Sequence, residues 1–522
     1  MNTLQLNSAG TFDPAAIAQA TQRRGRPAHS PTCASAEATR QANPIAILGV
    51  PFDHVTTAET LARIEAMIAS RQPHYAATAN VDFLVQARED VELHRILLDA
   101  HLVLADGMPL VWASRWLGNP LPERVTGSDL VPRLLAEAEH KGWRVFFLGG
   151  TETSVAAAAA KVRAKHPHLQ LVGAYSPPFR PLLEMNHEDI LERIRAARPD
   201  ILLVAFGCPK QEKWISMHYR AAGVPLSIGV GATIDFLAGT VSRAPRWMQR
   251  SGLEWVYRLL QEPRRLFRRY TTDFWGFGRA IARQSWQLRT KPRQSCSSTK
   301  AFLTPLGGTD FRELEVSPRL DANAVKEHQH VWDEALAAGS HVLVNLAPVE
   351  CIDSTGVGLL VRLGKDLRAA GRQLVLLAPS PAVRRALESM RLAEFLPTAP
   401  TPAAALRLVA KRAAEQSAVG AKNPDRAGES LAWQGELVAA NAEAVWRSTE
   451  NHLQYQASQA TEAFIDLSAL RFIDSSGVAL MVRAKKLGQR LGITVTFTRP
   501  TAAVRQVIQM LRLEETLLGG RQ

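Results

Sequence analysis

The sequence predicts an α/β protein: a mostly parallel sheet covered by helices on both faces, then two copies of one smaller α/β domain. Two observations carry this. Six strand-like runs, apolar at nearly every position, alternate with helical stretches between residues 75 and 232, which suits strands buried on both faces. Farther on, setting Val344 against Ile465, an offset of 121, gives 19 identities in 53 gapless positions.

Residues 1–44 are rich in Ala, Ser, Thr, Gln and Pro without apolar periodicity, and are expected to form a disordered leader. From Ile45 the texture changes. YAATAN (75–80), LVLADG (102–107), RVFFLGG (144–150), LQLVGAY (169–175), ILLVAFG (201–207) and LSIGVGA (226–232) read as strands. Ala58–Ser70, Asp129–Lys141, Ser154–His166 and His187–Arg198 read as helices. Sheets of this kind bind ligands beyond the C-terminal ends of their strands. The polar or glycine-rich strand ends are therefore the candidate site.

Each of those ends also has a plain structural reading. Asp106-Gly107 is a common turn pair. In RVTGSDLVPRLL (124–135), Ser128 or Asp129 caps a helix that tolerates Pro132 in its first turn. FFLGGTETS (146–154) is a strand, a Gly-Gly turn and a helix start. Its backbone N–H groups could hold a phosphate, but it is not G-x-G-x-x-G.

Charge is unevenly spread. The chain carries +13, yet residues 243–293 hold thirteen Lys and Arg against Glu254, Glu262 and Asp273, with four of the eleven tryptophans. A solvated face, nucleic-acid binding and an amphipathic appendage on anionic lipid are the three readings. Lipid is favoured and nucleic acid is not expected, because tryptophans suit the headgroup level and the belt adjoins the candidate site. Arg264, Arg265, Arg268, Arg269, Trp255 and Trp275 are its contact candidates. The four cysteines are far apart, with no metal-ligand spacing, and fit a reducing compartment. No secretion signal or run of about 18 apolar residues occurs, so a cytoplasmic protein, peripheral on the inner face of the membrane, is expected.

Together TAN, LADGMPLVWASRWLG, RVTGSDLVPRLL, RVFFLGG, ARPDILLVAFGCPKQEKWI and IGVGATIDFLAGTVSRAPRWMQRSGLEWVYRLLQEPRR stand in the order seen in the WecG/TagA/CpsF glycosyltransferases. The resemblance spans about residues 45 to 270 and implies a Rossmann-like domain. Its implied reaction transfers N-acetylmannosamine or another hexose from a UDP-sugar to an undecaprenyl-diphosphate-linked acceptor, with inversion. It makes Asp106 the general base, places Thr78 and Asn80 against substrate, and gives Gln211, beside Lys210, to the donor. UDP is an anionic leaving group that needs electrostatic support. No Asp-x-Asp occurs between residues 1 and 290, so neutralisation by Arg243, Arg246 and the amides around Gly229 and Gly231 is expected, without a metal or other cofactor.

The expected domains are a transferase at 45–242, the basic appendage at 243–293, a linker at 294–302, repeats at 303–412 and 429–522, and a linker at 413–428. Each repeat presents D-S-[ST]-G, at Asp353–Gly356 and Asp474–Gly477, after a strand and at the opening of a helix. An aspartate cap and small turn residues explain this plainly. The repeats also resemble STAS domains, the anti-sigma-factor-antagonist fold. That resemblance implies a kinase or regulator as partner, with Ser354 and Ser475 as phosphorylation candidates, or docking alone. The competing reading is a partner-switching protein whose transferase half is an inactive scaffold.

Overall fold

The computed structural model describes residues 43–245, 247–248, 253–261, 263–288, 301–305, 310–393, 395–417 and 431–519. Residues 1–42 of the expected leader and most of the linkers at 294–302 and 413–428 lie outside them, whereas Asn43, assigned to that leader, donates to Gln329 of the first repeat at 2.7 Å. β1 (Ile45–Ile47) and β2 (Val50–Phe52) form an antiparallel hairpin. The main sheet holds β3 (His74–Ala79), β4 (Leu102–Ala105), β5 (Arg144–Gly149), β6 (Gln170–Tyr175), β7 (Ile201–Ala205) and β8 (Leu226–Gly229), ordered β4-β3-β8-β7-β5-β6. Every pair in it is parallel.

Buried residues alternate along each strand between two cores. Ala77, Val103 and Phe146 join one face with Trp214, and Ala76, Leu104 and Phe147 join the other with Leu134. This is why the strands read as continuous apolar runs. The helices are α1 (Thr57–Ser70), α2 (Val81–Ala87), α3 (Val91–Asp99), α4 (Met108–Trp116), α5 (Gly127–Lys141), α6 (Glu152–Lys165), α7 (His187–Ala197), α8 (Lys210–Ala222) and α9 (Thr233–Ala238).

The start of α5 corrects the sequence reading. Thr126, not Ser128 or Asp129, is its N-cap, accepting from the Asp129 N–H at 3.1 Å. Pro132 is therefore the sixth helical residue, not part of the first turn. A proline there leaves the Ser128 carbonyl without its helical donor. The Arg243 guanidinium donates to that carbonyl at 3.3 Å, supplying a replacement from outside the helix.

The basic stretch continues as α10 (Glu254–Gln261) and α11 (Pro263–Leu288). The second half of α11 differs from a helix laid wholly on lipid. Phe277, Ala280, Ile281, Gln284 and Ser285 are buried at helical spacing, with Phe277 and Ile281 in the core beneath β3 and β7. Phe274, Trp275 and Trp286 are exposed.

The first repeat contains β9 (Phe302–Pro305), β10 (Phe311–Glu315), β11 (Arg319–Leu320), β12 (His341–Asn345), β13 (Cys351–Ile352), β14 (Leu374–Leu377) and β15 (Thr398–Ala399). Its sheet runs β15-β14-β12-β10-β9 beside the β11-β13 pair. Its helices are α12 (Ala322–Glu327), α13 (Gln329–Ala337), α14 (Ser354–Ala369), α15 (Pro381–Ser389) and α16 (Pro402–Ser417). The second repeat contains β16 (Leu431–Ala432), β17 (Gly435–Leu437), β18 (Glu462–Asp466), β19 (Leu470–Ile473) and β20 (Thr494–Thr498). Its helices are α17 (Ala442–Ala457), α18 (Ser475–Leu491), α19 (Ala502–Met510) and α20 (Glu514–Leu518). Both aspartates cap as read. Asp353 accepts from the N–H groups of Thr355 and Gly356, and Asp474 from those of Ser476 and Gly477.

The hairpin ties the first repeat to the main sheet. Ile45 and Ile47 of β1 enter the transferase-side core, while Ala46 between them enters the core of the first repeat. Strand alternation thus gives one three-residue strand to two domains. Among the described residues no helix is long and apolar enough to cross a membrane.

Candidate active site at the strand ends

Parallel strands deliver their C-terminal ends to one edge. β3 and β4 run in register there, Ala79 opposite Ala105, and the Asp106 N–H donates to the Ala79 carbonyl at 2.8 Å. Asp106 and Asn80 therefore follow neighbouring strands side by side. Asp106 is half-buried and precedes Gly107, whose φ of 146° opens the chain into α4. Thr78 is buried one layer below, its hydroxyl donating to the Gly229 carbonyl at 3.0 Å. Thr78 thus pins β3 to β8 instead of lining open space. Asn80 caps α2, accepting from the Phe83 N–H at 3.3 Å.

Gln211 is held in a closed arrangement. Its Oε1 accepts from the N–H groups of Gly207 and Gly231, at 3.1 and 3.2 Å, and its Nε2 donates to Glu212 at 2.7 Å. The side chain therefore fixes the loops after β7 and β8 to each other, where the sequence reading had its amide meet the donor. The Gly231 N–H is correspondingly engaged, and Gly229 lies in the ladder opposite Ala77 and Val204. What Gly229 supplies is room, since a Cβ there would stand 2.8 Å from the Gln211 amide nitrogen. Burial pushes the Glu212 carboxyl up to about 7 against the pull of that hydrogen bond. Lys210 reaches the Arg180 carbonyl at 2.6 Å, with its ammonium over the Phe179 and Phe206 rings.

Four charged residues clasp the first turn of α5 beside this edge. Asp129 pairs with Arg243 at 2.9 Å and with Arg124 at 3.2 Å, and Arg124 pairs with Glu254 at 3.1 Å. Burial works against ionising Asp129, yet the Arg243 and Thr126 hydrogen bonds and the two guanidinium charges hold its carboxyl below the usual range. The segment enters the site because the Val125 N–H donates to the Ala105 carbonyl, and Gly127 sits over Thr78. The clasp fastens α10 to the strand-end edge.

Sequence reasoning assigned no role to Arg124, Asp129 as an ion-pair partner, or Glu254. A signal existed for Glu254, one of only three acids among thirteen cations. Arg246 lies outside the described residues, as do the side chains of Arg265, Arg268 and Arg269. Arg264, Trp255 and Trp275 are exposed, Trp275 at 69%.

Ser354 and Ser475 are both fully buried, against expectation for accessible modification sites. The Ser354 hydroxyl accepts from Gln284 at 3.0 Å. That amide also donates to the Ala46 carbonyl and accepts from the Leu48 N–H. Ser475 instead meets Glu92 on α3, donating through its N–H at 2.6 Å and its hydroxyl at 2.8 Å.

The model for the "Glycosyl transferase WecG/TagA/CpsF family" matches residues 45–291, and that for the "STAS domain" matches 309–405 and 430–519. The chain is 30% identical over 224 residues to N-acetylglucosaminyldiphosphoundecaprenol N-acetyl-beta-D-mannosaminyltransferase of Staphylococcus aureus (strain MW2), covering 42% of this chain and 86% of that one. It is 32% identical over 191 residues to the enzyme so named of Bacillus spizizenii (strain ATCC 23059 / NRRL B-14472 / W23), covering 37% and 72%. Among solved structures it is similar to the anti-sigma factor antagonist SpoIIAA in its unphosphorylated form, with 23% identity, 22% of this chain, 97% of that chain and a TM-score of 0.19. It is also similar to an anti-sigma-factor antagonist (STAS) domain protein from Planctomyces limnophilus, with 22% identity, 21% and 97% coverage and a TM-score of 0.18.

Proposed function

The chain belongs to the WecG/TagA/CpsF family of glycosyl transferases and carries two STAS domains, and from that premise we propose its reaction. It moves an N-acetylmannosamine-type hexose from a UDP-sugar to an undecaprenyl-diphosphate-linked acceptor, building an exopolysaccharide or other surface polymer. The observation that carries the proposal is the strand-end edge, where Asp106 follows β4 beside Asn80 and the clasped first turn of α5.

The acceptor hydroxyl oxygen attacks C1 of the sugar while the Asp106 carboxylate takes its proton. A new C1–O bond forms, the C1–O bond to the diphosphate breaks, and its electron pair leaves with UDP. Attack from the face opposite UDP inverts the anomeric centre. Thr78 and Gln211 act from beneath by holding β3, β8 and the two loops in place. Arg124 and Arg243 are already held by Asp129 and Glu254, so support of the departing diphosphate falls to Arg246, three residues after Arg243, and the reaction proceeds without a divalent metal.

UDP release, measured with a panel of UDP-sugars and a short-chain polyprenyl-diphosphate-linked acceptor, tests this. Asp106→Ala should lower kcat by about 10²–10⁴-fold, and EDTA should leave it unchanged. Equal rates in wild type and Asp106→Ala overturn the assignment.

The same proposal places the enzyme peripherally on the cytoplasmic face of the membrane. Exposed Trp255, Trp275 and Trp286 would sit at headgroup level, and each nearby Lys or Arg would contribute about 1 kcal/mol on an anionic surface. Flotation with phosphatidylserine vesicles should be lost when Arg264, Arg265, Arg268 and Arg269 are changed to Glu. Unchanged flotation removes the membrane role.

A further inference from the structure

Glu212, the third residue of α8, is buried together with its neighbour Gln211, the two being 3% and 2% exposed. An acid in the first turn suits a helix N-terminus, but an exposed side chain serves that end equally well. Burying a carboxyl is costly unless its oxygens meet donors. The nearest donor here is Gln211, whose Nε2 lies 2.7 Å from Glu212 Oε1, and the Glu212 N–H and the Cys208 thiol also favour the charged carboxyl.

That bond gives the amide a direction. An amide has one accepting end and one donating end. The loops after β7 and β8 each present an N–H, from Gly207 at 3.1 Å and Gly231 at 3.2 Å, so only the Oε1 end of Gln211 serves them. Flipped, the amide would turn its NH2 group on two N–H donors and its oxygen on the Glu212 oxygen, losing all three bonds. Glu212 presents an accepting oxygen whether ionised or neutral, so it holds the amide one way in either state. Gly229 of β8 makes the room, since a Cβ there would stand 2.8 Å from Gln211 Nε2 and 2.9 Å from Glu212 Oε1.

We propose that Glu212 is a positioning residue of the transferase: by fixing which end of the Gln211 amide faces the loops after β7 and β8, it sets their spacing at the donor side of the cleft. Both side chains are buried, so they act on the donor only through the backbone of these loops. The lock reaches β3 as well, because Thr78 donates to the Gly229 carbonyl. The effect on the donor rests on the transfer reaction proposed above, whereas the lock on the amide stands apart from it.

Hydrogen–deuterium exchange and UDP-release kinetics of the full chain test this. Glu212→Asp keeps the charge but withdraws the oxygens from Gln211, and Glu212→Met keeps the length but removes the acceptor. Both should raise exchange of segments 205–208 and 229–232 about tenfold, with 144–149 at wild-type rates. Glu212→Gln keeps an accepting oxygen and should stay within about threefold of wild type. So should the exchanged pair Gln211→Glu with Glu212→Gln, in which the acid serves the two N–H groups and the amide donates to it. In kinetics, Glu212→Asp should raise the donor KM about tenfold and leave the acceptor KM unchanged. Wild-type exchange in Glu212→Asp, or opened loops in Glu212→Gln, overturns the lock. Opened loops with an unchanged donor KM overturn the positioning role. If Glu212→Met loses protection over 144–149 the fold itself has failed, and Glu212→Asp then decides. A wild-type chain that releases no UDP from any sugar nucleotide sinks the transfer reaction and the positioning role with it, while exchange still judges the lock.

Discussion

The two STAS domains carry nearly the same turn, CIDSTGVGLLVR and FIDSSGVALMVR, yet meet the transferase by different physics. The first is joined mainly through shared apolar core and a neutral amide, with one exposed ion pair at its edge: Ala46 lies in its core, Gln284 bonds Ser354, and Arg368 pairs with Asp99. The second is held at the same position by a carboxylate and a lysine. Apolar sharing resists separation because it exposes area to water. A charged contact can be reversed by changing one charge. A repeat thus fixes the domain but not its attachment, which the receiving surface decides.

Acid separates the two interfaces most. His94 lies at the first interface, against Phe395 and Gly49, and burial lowers its ring to about 4, with Arg391 adding to the effect. The unfolded chain takes that proton near the ordinary 6.5, so this contribution is present above pH 6.5 and lost as pH falls towards 4. The loss amounts to about 3 kcal/mol. Asp474 at the second interface runs the other way. Burial, then the Glu92 charge, raises it from 3.8, so its contribution is present below 3.8 and lost as pH rises through the raised value. Exchange rates normalised for intrinsic pH dependence should show 351–362 loosening as pH falls from 6.5 towards 4, and 474–480 loosening as pH rises from 3.8 to about 7. The same trend in both segments would show that the two interfaces respond alike.

Next in size is Gly358, where a Cβ would meet the Pro44 carbonyl at 2.2 Å. The matching position in the second domain is already Ala479. Gly358→Ala should destabilise by about 2 kcal/mol in denaturant titration through overpacking. Ala479→Gly should cost about 1 kcal/mol through helix propensity alone. A loss in Gly358→Ala no larger than that in Ala479→Gly would mean that the attachments are alike after all. Smallest is Ser354→Ala, which removes one of three hydrogen bonds of the Gln284 amide and should cost about 1 kcal/mol.

Much of the architecture was legible because it is local. Continuous apolar runs marked the strands, the offset of 121 marked the repeat, and Asp353 and Asp474 cap as their sequence context suggested. The α5 cap was missed because Thr126, Ser128 and Asp129 are all competent cap residues, and tertiary contact chose among them. Asp106 was placed correctly at a strand end. Gln211 and Gly231 were located but given open donors and acceptors that the fold turns on each other. The least legible parts were the interfaces. Glu92 and Ser475 share no periodicity or spacing, and only the folded chain brings them together.

Helix α3, nine residues long, touches both STAS domains. Glu92 and Arg95 face the second, while His94, Leu98 and, through Arg368, Asp99 face the first. About two and a half turns of one helix therefore carry contacts to both domains. Whatever coupling α3 carries between the two domains must, by thermodynamic reciprocity, be equal in both directions. Through Lys213 the same helix is tied to α8, and so to the Gln211 side chain that joins the loops after β7 and β8.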